Sequence, residues 1–584
     1  MKNAKYALSV AVAVVVAAGP VPVSHAAEYF FNTTGQDSFT TNSITTPWAS
    51  LSKLNSLSLL PGDKVYLRAG QSFAGNIYLD PTKANGSSQT TGNLINPITL
   101  STYATPASPG GSFLTTQRAT INAGNSFGIY GYNNAGFDIS NFTLNGSGAT
   151  TNTASGIGFY TDLAGGVKMQ RLNIDNVKVS GFKEGIAIGG FNGNTGYRDV
   201  RITNATAHDN RSVGIITYAE NRNVNQNVYV GNSVAYNNFG DPASTGNTGS
   251  GIVLGSVNGA TIERSVAYSN GKNNTPSEGP VGIWTYDSNN VTIQYNESYA
   301  NRTSGGDGGG FDLDQNVTNS VMQYNYSHDN DGAGFLLYDG DGTTVNNGNS
   351  GRNENNVVRF NISQNDGRKG NYPASGVFVG GNVRNLQVYH NTIFTSDVSN
   401  RTVPAIKVEG GSNLSFYNNI LQTTGGERLL SVASGLTGVS FIGNDYWSTG
   451  GTFSVSWNGI NYTSLNAWLT AVTGQERVNN VIVGMNVDPK LVGAGLGPTL
   501  NDANLLSTLV AYQLQPASPL VSGGVNLTLS PFLLNIGGQD FYALPITTAN
   551  AQFVGVTSAV PEPGITTLAL GAAMLGLLRR RRPI

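Results

Sequence analysis

The chain has 584 residues, of which 11% are charged, and a formal net charge of −2 at pH 7. This balance provides no basic surface for nucleic acid, and the absence of cysteine excludes disulfides, thiol nucleophiles and cysteine-ligated zinc. With only four histidines, a metal site would consist mainly of carboxylate and carbonyl oxygens, which favours calcium over zinc. The 75 glycines and the 39% hydrophobic content are typical of a stacked β structure with many turns.

Residues 1–26 have the pattern of a secretory signal peptide. Lys2 and Lys5 precede an apolar run over 7–18, and a Ser-His-Ala sequence ending at Ala26 supplies the small residues of a cleavage site. A membrane anchor is the alternative, but the apolar run is short and a Gly-Pro pair ends it. We therefore expect signal peptidase to cleave after Ala26 and the chain to be exported across the inner membrane.

Residues 27–150 predict an N-terminal cap followed by the first coils of a repeat structure. A Pro-Gly-Asp turn over 61–63 leads into a strand over 64–68. Before it, apolar residues spaced as on one face of a helix predict a short helix that covers the open end of the repeats: Trp48, Leu51, Leu54, Leu57 and Leu60.

Residues 151–450 repeat a short sequence motif in which two apolar residues flank one variable residue. Successive copies begin 24 to 42 residues apart, as in a coil whose loops absorb insertions. Since side chains alternate along a strand, the two apolar residues of each copy point inward. The inward pairs are Ile157/Phe159, Ile186/Ile188, Ile215/Thr217, Ile252/Leu254, Ile283/Thr285, Phe311/Leu313, Phe335/Leu337, Val377/Val379, Ile406/Val408 and Leu430/Val432.

Asparagine recurs before most of these strands and predicts a ladder of stacked amides along the axis. The alternative is that asparagine is simply common in turns, which explains single cases better than the recurrence. The expected ladder contains Asn176, Asn204, Asn232, Asn296, Asn325, Asn361, Asn391, Asn419 and Asn444.

These repeats resemble a right-handed parallel β-helix of the pectate-lyase-like superfamily over about residues 60–450. The resemblance implies an all-β solenoid with an N-terminal helical cap and an irregular C-terminal cap. The superfamily includes pectate lyases, polygalacturonases, alginate lyases, chondroitinase-B-like lyases and mannuronan epimerases. The chain lacks the catalytic blocks of polygalacturonases, and the epimerase Asp-Pro-His reads here as Asp312-Leu313-Asp314. The catalytic residues of these families therefore do not carry over intact.

Residues 451–559 resemble the closing region of such proteins, with one amphipathic helix over 462–472 and irregular strands expected to cover the last coil.

Residues 560–584 contain Pro561-Glu562-Pro563, then an apolar run over 565–578, then four arginines. This end resembles a PEP-CTERM sorting signal. The resemblance implies a transmembrane helix before sorting, cleavage by an exosortase, and a final place at the cell surface or outside the cell. A plain anchor is the alternative, but the apolar run is shorter than the roughly 20 residues of a full span.

The outward positions of the repeat predict where chemistry lies. Asp312 and Asp314 would stand on the exterior, one coil from aromatic residues on either side. Solvent-facing rings suit the flat faces of sugars and predict a polysaccharide ligand, unless the long insertions over 239–249 and 338–372 fold over and bury them. The expected substrate-binding residues are Trp284, Tyr286, Tyr338, Tyr218 and Phe378.

Two carboxylates so placed allow two chemistries. Asp312 and Asp314 could act as the acid and base of a glycoside hydrolase. Together with Asp307 they could instead hold calcium, which in a lyase would neutralise a uronate carboxylate. His328 is a further catalytic candidate, although its Ser-His-Asp-Asn context repeats an earlier one at His208, which favours a structural turn.

The leading hypothesis is a secreted, surface-sorted β-helix protein that binds and cleaves polysaccharide. The rival is a non-catalytic surface or biofilm protein that uses the same face for adhesion to exopolysaccharide. The carboxylate pair framed by aromatic residues favours an enzyme, and the missing family blocks favour the rival.

Overall fold

The computed structural model describes residues 26–79, 96–105, 111–340, 352–369 and 373–557. Three long sheets run along the described chain, and each coil visits them in turn. One coil, for example, passes from Lys168–Asp175 in sheet 1 to Lys178–Ser180 in sheet 2 and Glu184–Gly190 in sheet 3. Strands pair in parallel with the same sheet of the neighbouring coil, and the fold is the right-handed parallel β-helix that the sequence predicted.

Sheet 1 contains Glu28–Phe31, Lys64–Arg68, Ile98–Tyr103, Phe137–Ser140, Lys168–Asp175, Gly196–Thr203, Asn225–Gly231, Val257–Glu263, Asn289–Gln294, Val321–Gln323, Val357–Arg359, Arg384–Tyr389, Ser412–Tyr417 and Thr437–Ile442. Sheet 2 contains Ser72–Ala74, Ala119–Gly124, Phe142–Gly146, Lys178–Ser180, Thr206–His208, Val234–Tyr236, Val266–Tyr268, Glu297–Tyr299, Tyr326–His328, Ile362–Gln364, Thr392–Thr395, Ile420–Thr424 and Asp445–Thr449. Sheet 3 contains Ile77–Leu79, Ile129–Tyr132, Ser155–Thr161, Glu184–Gly190, Val213–Ala219, Ser250–Gly255, Val281–Tyr286, Gly309–Leu313, Phe335–Asp339, Val377–Gly381, Ile406–Val408, Leu430–Val432, Val455–Trp457 and Ile460–Tyr462. The last two strands of sheet 3 pair antiparallel, as do the separate short strands Arg477–Val478 and Val481–Ile482.

The predicted inward pairs form one interior line along sheet 3. Ile283 pairs with Phe311, and Phe311 with Phe335, whose rings stack with centroids 5.3 Å apart. All members of the ten pairs are buried, and the interior apolar side chains form one continuous core. The alternation in the sequence is thus confirmed residue by residue.

The asparagine ladder runs over only part of the expected series. From Asn296 to Asn444, each side-chain amide donates to the side-chain oxygen of the next asparagine at 2.9 to 3.0 Å. The prediction is wrong for Asn176, Asn204 and Asn232. These three residues lie one position before the ladder and have a φ near +50°, a left-handed conformation that asparagine tolerates better than most residues.

A second ladder, which the sequence reading missed, lies at the turn between sheets 2 and 3. Its amide-to-oxygen distances are 2.8 to 3.1 Å, and its last acceptor is a carboxylate instead of an amide. The ladder consists of Asn210, Asn238, Asn270, Asn301, Asn330 and Asp366. Buried turns of neighbouring coils are therefore fixed in register by two rows of side-chain hydrogen bonds.

Two short helices lie at the ends of the tube. The first, Leu51–Asn55, is shorter than the predicted helical face, and its Leu51 and Leu54 pack into the core. The second, Leu465–Ala471, lies within the predicted 462–472 and buries Trp468 against Trp457, with ring centroids 5.7 Å apart. The 3₁₀ helices Ala503–Thr508, Val510–Tyr512 and Pro519–Val521 follow.

Most of the C-terminal region does not cover the last coil but runs back along the side of the tube. Gly497 donates its backbone N–H to the Gln364 side chain at 2.8 Å, and the Arg359 guanidinium donates to the Asn535 carbonyl at 2.6 Å. A second apolar cluster fills the contact between this segment and the outside of sheet 2. We expected irregular strands to lie over the last coil, but most of this segment instead packs along the outside of sheet 2.

Of the predicted signal peptide over 1–26, only Ala26 belongs to the described residues, and the whole predicted sorting segment over 560–584, with Pro561, Glu562, Pro563 and the expected transmembrane helix, lies outside them. Within the described ranges, no helix is long and apolar enough to cross a membrane.

Candidate functional site

The outward residues of sheet 3 have the predicted register around Asp312. The Trp284 position pairs with Asp312, and Asp312 pairs with Leu336 in the following coil. Asp314 directly follows the strand Gly309–Leu313 and donates its backbone N–H to the Thr285 carbonyl at 3.0 Å. The two aspartates therefore share the outer face, one rung from the aromatic residues that were expected beside them.

The carboxyl of Asp312 is buried and has an oxygen without a partner. The residue is 3% exposed, and its Oδ1 makes no hydrogen bond. Burial raises the pKa of Asp312 well above its ordinary value, and the neighbouring Asp314 and Asp307 raise it further. The surroundings of Asp312 therefore favour the protonated form of its carboxyl.

Asp314 and Asp307 titrate near neutrality. Burial raises the pKa of each to about 7, and neighbouring carboxylates add to the shift. Asp307 accepts one backbone hydrogen bond, from Gly279 to its Oδ2 at 3.0 Å. The described part of the chain contains no group of three or more His, Cys, Asp or Glu side chains placed to hold a metal ion, so the calcium site stays a sequence prediction.

A cleft of about 230 Å³ lies on the outer face of sheet 3 over the coils that precede Asp312, and neither Asp312 nor Asp314 lines it. Trp284 and Tyr286 line its end nearest Asp312, and the Trp284 indole donates to the Ser250 hydroxyl at 3.1 Å. The insertion over 239–249 contributes Asn247 to one wall. This insertion therefore forms a wall of the cleft and leaves it open to solvent.

The aromatic residues expected to bind substrate differ in exposure. Tyr286, Tyr218 and Tyr338 are half-buried, whereas Trp284 is nearly covered. Phe378 is fully buried against Leu336, so the expectation that its ring faces solvent is wrong. Its ring is covered because neighbouring outward side chains pack together as a small apolar cluster of their own.

His328 does not join the aspartates, because its strand belongs to sheet 2 and not to sheet 3. Its ring is fully buried and stacks on Tyr299, with centroids 4.9 Å apart. Nδ1 lies 2.9 Å from Asp329 and Nε2 lies 3.2 Å from Glu297, and these carboxylates raise the pKa of His328 against the effect of burial. The imidazole is thus a partnered structural group at a distance from the cleft.

Two acidic residues near the site were missed by the sequence reading. Burial raises the pKa of Asp287, and it raises the pKa of Asp339 to about 6. Asp339 accepts the Asn353 backbone N–H at 2.6 Å. Each follows a tyrosine at the end of a sheet 3 strand, so the repeated Tyr-Asp pair was the available signal.

The comparisons with known proteins concern the fold. No protein-family model matches the chain, and no curated protein sequence matches it. The structure is similar to GH136 lacto-N-biosidase from Eubacterium ramulus, at 15% identity over 67% of each chain with a TM-score of 0.44. It is similar to pectate lyase Pel9A, at 16% identity over 90% of this chain and 98% of that chain with a TM-score of 0.39. It is also similar to the A-module of mannuronan C-5 epimerase AlgE4 from Azotobacter vinelandii, at 16% identity over 61% and 85% of the two chains with a TM-score of 0.40.

Proposed function

We propose that the protein is a glycoside hydrolase that cleaves a neutral polysaccharide lying along the outer face of sheet 3. The observation that carries this proposal is the buried, unpartnered carboxyl of Asp312 beside the Trp284 end of the cleft. A carboxylic acid that keeps its proton at neutral pH can transfer it to the leaving oxygen of a glycosidic bond.

Asp314 is the second carboxylate of the proposed pair. Burial raises the pKa of Asp314 to about 7, so it ionises near neutral pH, and the role of acid is assigned to Asp312, whose carboxyl is buried and has an unpartnered oxygen. Environments that separate the pKa values of two carboxyl groups assign the roles of acid and base in this way. In the proposed reaction, Asp312 protonates the leaving oxygen, and ionised Asp314 activates water or attacks the sugar.

The charge around Asp312 favours a neutral substrate over a uronate. The charges that shift the pKa of Asp312 come from Asp314 and Asp307, and both are carboxylates. A uronate carboxylate in the same place would be repelled by them. A lyase acting there would require a cation to neutralise that charge, as in the calcium prediction, whereas a hydrolase acting on a neutral glycan requires none.

The proposal includes export and sorting, which rest on the sequence alone. A signal peptide over 1–26 would bring the chain across the inner membrane. The PEP-CTERM-like end over 560–584 would be cleaved by an exosortase, leaving the β-helix at the cell surface or outside the cell. Polysaccharides are abundant in that setting.

The test is a screen of the purified protein against neutral and acidic polysaccharides, following reducing ends and the ultraviolet absorbance of unsaturated products. We expect new reducing ends from a neutral glycan, and we expect Asp312→Asn to lower kcat by about a thousandfold while the fold remains intact. Asp199→Asn, which changes a half-exposed aspartate of sheet 1, is the control and should keep full activity. Unsaturated products would favour the lyase, and binding without cleavage would favour the adhesion protein.

A further inference from the structure

We infer that the N-terminal part of sheet 3 is a second glycan-binding surface, four to seven rungs or about 20 to 35 Å from Asp312 along the axis. We call it the tyrosine platform, and it consists of Tyr78, Tyr130, Tyr132, Tyr160 and Phe191. The inference rests on the proposed function for its ligand, a neutral glycan chain, and adds a binding surface outside the cleft.

The rings of the tyrosine platform form one contiguous and partly exposed surface. Tyr78 and Tyr130 have nearly parallel planes with centroids 5.6 Å apart, and Tyr130 lies 5.8 Å from Tyr160. Tyr160 lies 6.4 Å from Phe191. Tyr78 is 43% exposed and Phe191 39%, which is high for large rings on a soluble protein.

Glycines lie beneath the rings of Tyr160 and of the neighbouring Tyr218. Side chains on strands ordinarily stand perpendicular to the sheet. A Cβ on Gly158 would lie 2.8 Å from the Tyr160 ring, and a Cβ on Gly189 would lie 2.7 Å from the Tyr218 ring. The Tyr160 and Tyr218 rings thus lie over glycines, in space that a side chain would otherwise fill.

The rim of the tyrosine platform is polar and acidic, which fits sugar hydroxyls. The Tyr132 hydroxyl donates to Asp162, which raises the pKa of Tyr132 to about 12, and Asn133 donates to the same carboxylate at 2.9 Å. Ser155 donates to Glu184 at 2.7 Å and lies 2.7 Å from the Tyr160 hydroxyl. Glu184 is paired with Lys183 at 3.1 Å, so the negative charge that would repel an acidic polymer and favour a neutral one is that of Asp162.

The tyrosine platform is continuous with the cleft. Tyr218 lies 6.3 Å from Tyr160 and two rungs from Tyr286, with Gly255 between them. A Cβ on Gly255 would lie 2.3 Å from the Tyr286 ring, so the same arrangement of ring over glycine is repeated beside Asp314. One glycan chain can therefore reach from the tyrosine platform to the aspartates. The tyrosine platform thus strengthens the binding of long substrates.

The test measures the affinity of cello-, xylo- and laminari-oligosaccharides, as dimers and hexamers, for the Asp312→Asn protein by titration calorimetry. In that background, Tyr130→Ala and Tyr160→Ala should each weaken binding of the preferred hexamer about tenfold and leave the dimer unchanged. Tyr229→Ala, a half-buried ring on the outer face of sheet 1, is the matched control and should change neither. Gly189→Ala tests the orientation of the rings without removing one and should also weaken the hexamer.

Equal hexamer affinity in the tyrosine variants and the control would overturn the inference. So would binding confined to oligouronates, or no binding of any neutral hexamer. If the tyrosine variants weaken hexamer binding but Asp312→Asn retains turnover, the tyrosine platform stands and the proposed catalytic role of Asp312 fails. The two proposals therefore fail separately. A variant that melts well below its parent is replaced by the corresponding Tyr→Leu substitution.

Discussion

Asp312 on sheet 3 and Asp366 at the end of the second ladder are two buried carboxyl groups with opposite surroundings. Asp366 accepts the Asn330 side-chain amide at 2.8 Å and the Ser363 hydroxyl at 2.7 Å. Asp312 has a buried oxygen without any hydrogen bond. Burial raises the pKa of both, but hydrogen bonds hold that of Asp366 to about 6 whereas that of Asp312 lies well above its ordinary value.

The difference separates a structural acid from a candidate catalytic one. Glu476 resembles Asp366, since it ends the first ladder by accepting the Asn444 amide at 2.9 Å and the Tyr446 hydroxyl at 2.6 Å. A buried carboxyl that stabilises a fold is normally satisfied, while one left without partners costs free energy and requires another reason to be present. Burial alone therefore does not identify a functional residue, and a missing partner is a reason to test one.

The largest expected effect concerns the satisfied acid. Asp366→Ala should lower the free energy of unfolding by about 3 kcal/mol, because the buried amide of Asn330 loses its acceptor. Asp366→Asn keeps a side-chain oxygen and should cost about 1 kcal/mol. Urea denaturation of both variants measures the difference. Equal losses would show that the acceptor at the end of the ladder contributes nothing.

Replacing Asp312, whose carboxyl has an unpartnered oxygen, should have the opposite effect and stabilise the protein. Asp312→Leu places an apolar side chain between the Trp284 and Leu336 positions, and we expect it to raise the free energy of unfolding by about 1 kcal/mol at pH 8. The same variant should have no turnover. A stability loss as large as that of Asp366→Ala would mean that Asp312 is a structural residue.

A further expected effect is a change in pH dependence. Asp314 has a pKa of about 7 in the folded protein and an ordinary value near 4 in the unfolded chain, so the folded state binds more protons between these values. Its contribution to the free energy of unfolding therefore falls as pH rises from about 4 to about 7. Asp314→Asn should be more stable relative to wild type at pH 8 than at pH 4.

Thermal melts of both proteins at the two pH values test this sign. Asp199→Asn is again the control, because its carboxylate lies on the exposed face of sheet 1. If the stability difference between Asp314→Asn and wild type does not change with pH, the pKa of Asp314 is not raised in the folded protein. The proposed assignment of Asp312 as acid and Asp314 as base would then fail.

The sequence predicted the fold because the alternation of two apolar residues with one variable residue is local, and stacking repeats it in every coil. The same alternation placed Trp284, Asp312 and Leu336 in neighbouring rungs. Burial could not be read in this way, since it depends on how outward side chains and distant loops pack over the sheet. Phe378 was misjudged for that reason.

The asparagine series shows a second limit of sequence reasoning. In each coil, a left-handed turn position directly precedes the ladder position, and asparagine suits both. The reading therefore took Asn204 for a ladder residue, although the next residue, Ala205, occupies the ladder position. The second ladder was accessible, because Asn270, Asn301 and Asn330 recur at nearly constant spacing.

The central claim is that Asp312 holds a proton at neutral pH, and infrared difference spectroscopy tests it most directly. The spectrum of wild type minus Asp312→Asn, recorded at pH 7, should contain the carbonyl band of one protonated carboxylic acid, because burial beside two carboxylates raises the pKa of Asp312 well above its ordinary value. A difference spectrum that contains the carboxylate bands of an ionised aspartate instead would contradict the account.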